Sequence, residues 1–214
     1  MLKEETQSEL ALLGARYPSL VTLLPAAEQA VERIAASCRG GGKLLVCGNG
    51  GSAADSLHIV GELMKDFAAK RELLPELRER IAEAYPEDSE LYTENLQRAV
   101  PAISLVNEVS LVTAYGNDRA SELAFAQQVL GYGRAGDVLL AISTSGNSAN
   151  VVHAARIARL LGLAVISLTG EGGGRLRELS DILLNVPSGI TYQIQELHLP
   201  VYHALCLALE KELF

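Results

Sequence analysis

The chain has 214 residues, of which 49% are hydrophobic and 21% are charged, and its formal net charge is −8. This composition is typical of a globular domain with its own core and excludes a disordered chain. The acidic balance argues against general nucleic-acid binding, although a helix end can bind a small phosphate whatever the overall charge. No stretch approaches the roughly 20 apolar residues that a membrane-spanning helix requires, so we expect no membrane contact.

The cysteines and the N-terminus indicate the cell compartment. Cys38, Cys47 and Cys206 are odd in number and lack the spacing of a disulfide framework, as is typical of reduced cytosolic proteins. The first ten residues, MLKEETQSEL, are charged and lack the apolar segment of a signal peptide. We therefore expect a cytoplasmic protein.

Two helices, at about 3–13 and 18–38, are predicted ahead of the first strand. In the second helix, leucine, valine and isoleucine residues recur at helical spacing. Glycines 40–42 end this helix and lead into a strand over KLLVC, residues 43–47. The sequence does not decide whether the N-terminal helices, residues 1–38, pack on the sheet or against another subunit.

The first strand runs directly into the glycine-rich turn 48–52, after which a helical pattern begins at once. Glycines let the backbone adopt positive φ and approach a ligand closely, and Ser52 is predicted to be the N-cap. The free N–H groups of such a helix end attract anions, phosphate above all. His58 and Glu62 follow four residues apart, which places both on one helix face. We predict an anion site beside an acid–base or metal-binding pair.

Residues 68–100 form a predicted insertion that is rich in Glu, Arg, Leu and Ala. Two short helices are expected, at about 72–84 and 88–99, because Tyr85-Pro86 interrupts the helical pattern. Two alternatives stay open for this segment. It is either a solvated amphipathic excursion, or a lid or interface element.

Strand and helix patterns alternate from residue 102 onward. Strands are predicted at 102–107, 137–143, 164–170 and 181–187, and helices at 107–115, 121–132, after 148 to Leu161, and at about 192–213. For the helix at 121–132, the expected core contacts are Leu123, Phe125, Ala126, Val129 and Leu130. Short turns between alternating elements favour a single domain over residues 1–214. Its expected architecture is α/β, a doubly wound parallel five-stranded sheet covered on both faces.

A second polar turn, STSGNS at residues 143–148, follows the strand at 137–143. Its hydroxyl groups and loop N–H groups are suited to phosphate; the hydroxyls belong to Ser143, Thr144, Ser145 and Ser148. Either polar turn alone is also explained as a simple capped turn. Both lie at the carboxyl edge of a parallel sheet, where ligands bind, so together they predict a phosphate site. Neither matches the dinucleotide fingerprint or the Walker pattern, which disfavours a nucleotide.

The final helix carries two further candidate ligands. Gln195 and His203 are separated by two steps of four residues, so their directions around the helix axis differ by about 80°. Both are therefore predicted to reach one cavity from neighbouring turns. With His58 and Glu62 they would make an unusual zinc set, because Gln is a weak ligand. Spacing alone leaves open whether these histidines are ligands or structural residues.

Five motifs resemble, in the same order, those of the sugar isomerase (SIS) domain family and, within it, the phosphoheptose isomerases. They are CGNGGSAADSLHIVGEL, GNDRASELAF, GDVLLAISTSGNSANVV, VISLTGEGGG and QIQELHLPVYH, and they cover most of the chain. The resemblance implies the SIS fold, which is Rossmann-like and flavodoxin-like. It also implies isomerisation of sedoheptulose 7-phosphate to D-glycero-manno-heptose 7-phosphate in bacterial heptose synthesis. The resemblance further implies a homotetramer with active sites between subunits.

The resemblance implies roles for individual residues. The matches to its substrate-binding positions are Asn49, Gly50, Gly51, Ser52, Glu62, Asn117, Asp118, Ser143, Thr144, Ser145, Ser148 and Gln195. Among these, Asn117 and Asp118 match a pair that contacts the sugar, and the serine-rich turn matches the phosphate loop. Glu62 matches the catalytic base and His203 the catalytic acid.

The resemblance also implies a metal. The matches to the set that binds zinc in some members are His58, Glu62, Gln195 and His203, so we expect one zinc per subunit. An aldose–ketose interconversion needs a base beside a carbonyl and a donor that returns protons through an enediolate. A metal or the Gln195 amide could stabilise the oxyanion. Zinc bound by Glu62 and His203 would make their acid–base roles harder to assign.

The sequence departs from the family in three places. Asp66 stands where an Arg is common, Tyr192 and Gln193 replace the usual charged pair before Ile-Gln-Glu, and most members lack the 68–100 insertion. These departures leave the sugar less certain than the isomerase chemistry. One alternative is a non-catalytic SIS protein, such as the tetrameric partner of the bacterial replication initiator; this partner protein resembles the chain in its final CLALEKELF. Another is an isomerase or binder of a different sugar phosphate. The presence of both Glu62 and His203 favours an enzyme.

Overall fold

A parallel five-stranded sheet forms the centre of the protein, as seen in a computed structural model that describes residues 2–214. The strands are β1 (Leu44–Cys47), β2 (Ala102–Ser104), β3 (Val138–Ile142), β4 (Ala164–Thr169) and β5 (Ile182–Asn185). Their spatial order is β2-β1-β3-β4-β5, and every neighbouring pair is parallel. The doubly wound parallel sheet predicted from the sequence is therefore confirmed. The order reverses between β1 and β3, which is the topological switch point where open α/β sheets bind ligands.

Helices cover the sheet on both faces. The described α-helices are α1 (Glu4–Arg16), α2 (Leu24–Arg39), α3 (Gly51–Met64), α4 (Pro75–Ala84), α5 (Ser89–Asn95), α6 (Val109–Asp118), α7 (Ala124–Tyr132), α8 (Ala149–Leu160) and α9 (Thr191–Leu213). Short 3-10 helices lie at Pro18–Leu23, Ser121–Leu123 and Gly174–Leu176. Among the helices of residues 2–214, none combines the length and the hydropathy that a membrane crossing requires.

Alternate residues of the central strands enter two separate cores. In β1, Leu44 and Val46 join the core beneath α1, α2, α3 and α9, whereas Leu45 and Cys47 join the core beneath α7 and α8. Successive side chains of a strand point to opposite faces, so a strand buried on both faces must be apolar throughout. The N-terminal helices pack within this chain, because buried leucines of α1 and buried alanine, valine and isoleucine residues of α2 share the first core with α9.

The start of α3 differs from the prediction. Ser52 is not the N-cap; the helix begins at Gly51, and Gly50 precedes it with φ at 56°. Ser52 is instead buried in the first turn, and its N–H donates to the Asn49 carbonyl at 3.0 Å. The turn needs a left-handed residue directly before the helix, and glycine adopts that conformation without a Cβ penalty.

Three further predictions are corrected. The helix α6 continues through Gly116 and ends at Asp118, so the Gly-Asn-Asp sequence lies inside its last turn. Leu123 and Leu130 were predicted to lie in the core, yet they are 36% and 55% exposed, because they lie on the outward side of their helices. The two helices predicted in the insertion exist, but α4 and α5 are shorter than predicted and bury no residue.

Candidate active site

The two polar turns lie side by side at the switch point of the sheet. The first follows β1 and the second follows β3, and these strands are neighbours. Asn49 in the first turn and Asn150 at the start of α8 exchange two amide hydrogen bonds, each 2.8 Å long. This reciprocal pair fixes the two turns relative to each other. The sequence analysis missed Asn150, whose signal is only its place two residues after the serine-rich turn.

The second turn presents its hydroxyl groups toward the carboxyl edge of the sheet. The hydroxyl oxygens of Ser143 and Ser148 lie 2.9 Å apart, and Ser145 accepts the N–H of Asn147 at 3.2 Å. Gly146 has φ at 65°, and a Cβ there would collide with the backbone of Gly173. Glycine is therefore required for the loop to pass beneath the following turn. The four predicted phosphate ligands share one short loop, as the sequence predicted.

A second cluster joins α3 to α9. Nε2 of His58 lies 3.2 Å from Oε1 of Glu62, so the pair predicted from its spacing is in contact. Nδ1 of His58 lies 3.0 Å from the Tyr202 hydroxyl, which donates to Asp55 Oδ1 at 3.3 Å. The ring of His203 stands perpendicular to that of His58, with centroids 5.0 Å apart. The structure thus brings His58, Glu62 and His203 together.

The electrostatics of the cluster favour a neutral His203. Burial lowers the pKa of its imidazole, the positive charges of His58 and Arg16 act in the same direction, and only Glu62 opposes them. Nε2 of His203 is buried and has no hydrogen-bond partner. A cavity of about 190 Å³ adjoins this residue and is lined in part by Arg16.

Asp55 and Tyr202 belong to this cluster although the sequence analysis did not select them. Burial raises the pKa of both groups, so the Tyr202 phenol stays protonated and can donate to Asp55. Two signals could have found them. Asp55 lies three residues before His58 on the same helix face, and Tyr202 is adjacent to His203.

Three predicted site residues lie apart from this cluster. Gln195 packs against Gly51 at the start of α3, where its Nε2 occupies the position that a Cβ would take. Asn117 and Asp118 are exposed at the end of α6, and the Asn117 amide donates to Asp118 at 2.8 Å. Because β2 is an edge strand and no α6 residue is buried, this pair faces away from the protein's own cores.

Comparisons with known proteins identify the family. The sequence model of the SIS domain family matches residues 20–103 and 94–170. The phosphoheptose isomerase of Rhodospirillum rubrum is 42% identical over 189 residues, which are 88% of this chain and 87% of that protein. The enzyme of that name from Akkermansia muciniphila is 33% identical over 213 residues, 100% of this chain and 99% of that protein.

Solved structures give the same result. The phosphoheptose isomerase of Neisseria gonorrhoeae superposes with a TM-score of 0.73 at 34% identity, covering 95% of this chain and 94% of the other. The one from Francisella tularensis superposes with a TM-score of 0.75 at 33% identity, covering 91% and 90%. The chain therefore belongs to the SIS domain family and, within it, to the phosphoheptose isomerases.

Proposed function

We propose that this protein interconverts sedoheptulose 7-phosphate and D-glycero-manno-heptose 7-phosphate, with Glu62 as the base and His203 as the acid. The observation that carries the proposal is the contact of the Glu62 carboxylate with His58, whose ring packs against His203, on the helix that follows the first polar turn. A non-catalytic binding protein has no need of such a cluster. Both the fold and the relatives support the isomerase over the alternatives.

The reaction can be written with these residues. Glu62 removes the proton from the carbon beside the carbonyl, and the electron pair moves onto the carbonyl oxygen to give an enediolate. The side chain is 15% exposed and is held in place by contacts with Lys65 at 3.3 Å and with His58 at 3.2 Å. His203 carries the proton that the oxygen takes up, since its Nε2 has no competing partner. The protonated carboxyl then returns a proton to the neighbouring carbon while His203, now lacking its proton, takes the hydroxyl proton from the other enediol oxygen, so the carbonyl forms on the carbon that was first deprotonated.

The substrate is proposed to lie across the two turns. The serine-rich loop would hold the phosphate through its hydroxyl and N–H groups. Asn49, Gly50, Gly51 and Ser52 would face the sugar, with Gln195 beside them. Asn117 and Asp118 would reach a site in a neighbouring subunit, because α6 presents them outward. This arrangement requires an oligomer, which we propose to be the homotetramer of the family.

The hydrogen-bond donors and acceptors of the cluster are compatible with a bound divalent cation, which we propose to be zinc. If Tyr202 donates to Asp55, Nδ1 of His58 must donate to Tyr202, and Nε2 of His58 then faces the Glu62 carboxylate. Nε2 of His203 is buried without a partner, so it would be a further ligand when it does not carry the proton, and in that state it would not serve as the acid. A cation held by His58, Glu62 and His203 would satisfy all three and would stabilise the enediolate oxygen when bound.

Two observations limit the zinc proposal. Within residues 2–214, no three His, Cys, Asp or Glu side chains are already arranged as a metal-binding group. Gln195 lies against Gly51, so its place among the ligands rests on the family resemblance alone. A cytoplasmic location is proposed with the same function, and the three cysteines are free thiols in agreement with it.

A direct assay tests the function. Purified protein should convert sedoheptulose 7-phosphate, and Glu62→Gln should lower kcat by about 10²–10⁴-fold, the usual contribution of a general base. Glu72→Gln is the matched control, because Glu72 is an exposed carboxylate of the insertion. Metal analysis of the same preparation, made without chelator, should find about one zinc per chain. Wild-type protein that turns over neither this substrate nor any other ketose phosphate would rule out the enzyme.

A further inference from the structure

The end of α3 is held by a buried ion pair that the proposed chemistry does not use. The side chain of Arg71 is 0% exposed, and its Nε donates to Oε1 of Glu210 at 2.8 Å. Its two terminal nitrogens donate to backbone carbonyls, Nη1 to Leu63 at 2.6 Å and Nη2 to Glu62 at 3.0 Å. The last carbonyls of a helix have no partner within the helix, so Arg71 supplies hydrogen bonds at this end, in addition to the Val100 N–H that the Leu63 carbonyl also accepts.

The carboxylate of Glu210 also accepts several backbone hydrogen bonds. Glu210 accepts the backbone N–H groups of Phe67 and Ala68 at 2.9 Å each and that of Ala69 at 3.0 Å. Burial alone would raise the pKa of Glu210, but these amides and Arg71 outweigh it and hold the pKa below its ordinary value. The pair is thus charged and satisfied, and a buried ion pair contributes to geometry even where it adds little net stability.

The pair connects the two helices that carry the proposed base and acid. Arg71 binds the backbone carbonyls of Glu62 and Leu63 near the end of α3. Glu210 lies two turns after His203 on α9. Phe67, whose N–H donates to Glu210, also places its ring 5.4 Å from that of His203. Movement of Arg71 relative to Glu210 would therefore move Glu62 relative to His203.

We propose that Arg71, through its pair with Glu210, is a positioning residue that sets the distance between the Glu62 carboxylate and His203. This inference rests on the isomerase function proposed above. A misplacement of about 1 Å at a reacting group can cost about 10²-fold in rate. The requirement is for a planar guanidinium, because one group must reach a carboxylate and two carbonyls at once; a lysine ammonium cannot span the same three acceptors.

Two variants separate positioning from simple stability. Arg71→Lys keeps the charge, whereas Arg71→Met combined with Glu210→Leu removes both charges and refills the space, which often restores stability. We expect both proteins to fold with kcat at least tenfold below wild type and KM within about threefold, since a misplaced base affects the chemical step more than binding. The control is Arg39→Met, which removes a similar ion pair between α2 and α9, with Glu212 at 2.7 Å, that touches no part of α3. Its kcat should be unchanged.

Hydrogen exchange provides a readout that does not depend on activity. Peptides covering residues 60–71 should lose protection in both Arg71 variants and keep it in Arg39→Met. Wild-type kcat in the folded double variant, or unchanged protection of this segment, would overturn the proposal. A double variant that cannot fold would overturn it too, because the pair would then serve folding as a whole. An inactive wild-type protein with the expected exchange pattern would instead disprove the proposed function and leave the ion pair's structural effect established.

Discussion

His198 is a buried imidazole that the proposed mechanism does not use. It is 0% exposed in the middle of α9, and neither ring nitrogen has a hydrogen-bond partner. Burial lowers its pKa to about 4, and the nearby backbone of Thr169 opposes this only weakly. His198 is therefore neutral in the folded protein near neutral pH, and it must pick up a proton when the chain unfolds in mild acid.

This imidazole predicts how stability depends on pH. Its pKa is lower in the folded chain than in the unfolded chain, so its contribution is complete above pH 6.5 and is lost as the pH falls from 6.5 to about 4. The loss should approach about 3 kcal/mol, from 1.36 kcal/mol per pKa unit. His198→Leu should flatten the curve in this range. Urea unfolding at a series of pH values measures it, and identical pH dependence in the two proteins would contradict the assignment.

The segment 68–100, predicted to be an insertion, is anchored to the domain at its base. Its base is closed by backbone hydrogen bonds from Arg98 to Arg71 and from Val100 to Leu63, each 2.9 Å long. The guanidinium groups of Arg71 and Arg98 both lie over the ring of Phe214, at 5.1 and 4.6 Å. The segment thus leaves and rejoins the domain at one point, beside the end of α9.

One departure from the family pattern has a structural partner inside the insertion. Asp66 stands where an arginine is common, and it exchanges two hydrogen bonds with Gln97: its N–H donates at 3.0 Å and its carboxylate accepts at 3.1 Å. An arginine could not accept from the Gln97 amide in this way. The aspartate is therefore explained by the contact that closes the insertion.

Removal of the two insertion helices tests their role. Replacing residues 75–95 with a short Gly-Ser linker should leave kcat/KM within about threefold and lower Tm only slightly, because α4 and α5 bury no residue and the base closes without them. Activity and size-exclusion measurements on the shortened chain check this. Loss of activity or of the oligomer would show that the segment is a lid or an interface.

At the scale of the whole molecule, one side of the fold exposes several large apolar side chains. No residue of α6 is buried, and Val109, Leu130 and Leu160 are 66%, 55% and 80% exposed. Clustered apolar surface of this kind marks an interaction site. It lies next to Asn117 and Asp118, the pair that we propose contacts the sugar and that lies apart from the chain's own cluster. Assembly would therefore cover this surface and complete the sites together.

Subunit complementation tests for sites shared between chains. Glu62→Gln and Asp118→Ala should each be nearly inactive, since each removes a group proposed to face the substrate. When the two variants are mixed, dissociated and reassembled, the mixture should recover up to about a quarter of wild-type activity if each site takes these two residues from different subunits. Each variant taken through the same procedure alone is the control. Absence of recovery despite mixed assembly would place both residues in sites formed by one chain.

Local patterns carried most of the fold prediction. Apolar runs bounded by glycine and polar turns located all five strands. Their alternation with helices indicated parallel pairing, because a helix that connects two parallel strands packs on a face of the sheet. Element ends were less certain. The N-cap at Ser52 and the end of α6 were mispredicted because a positive φ at Gly50 and the continuation of a helix through Gly116 depend on packing rather than on the local sequence.

By itself, the sequence determined which residues are chemically able to act and which of them share a helix face or a turn. The contact of His58 with Glu62 follows from a spacing of four, and the proposed phosphate loop rests on four hydroxyls in six residues. Only the tertiary structure decided what lies across from them. The Asn49–Asn150 pair, the Asp55–Tyr202 contact and the Arg71–Glu210 pair join residues more than 90 positions apart. Such contacts are fixed by how α3, α8 and α9 pack on the sheet, and no local pattern encodes that packing.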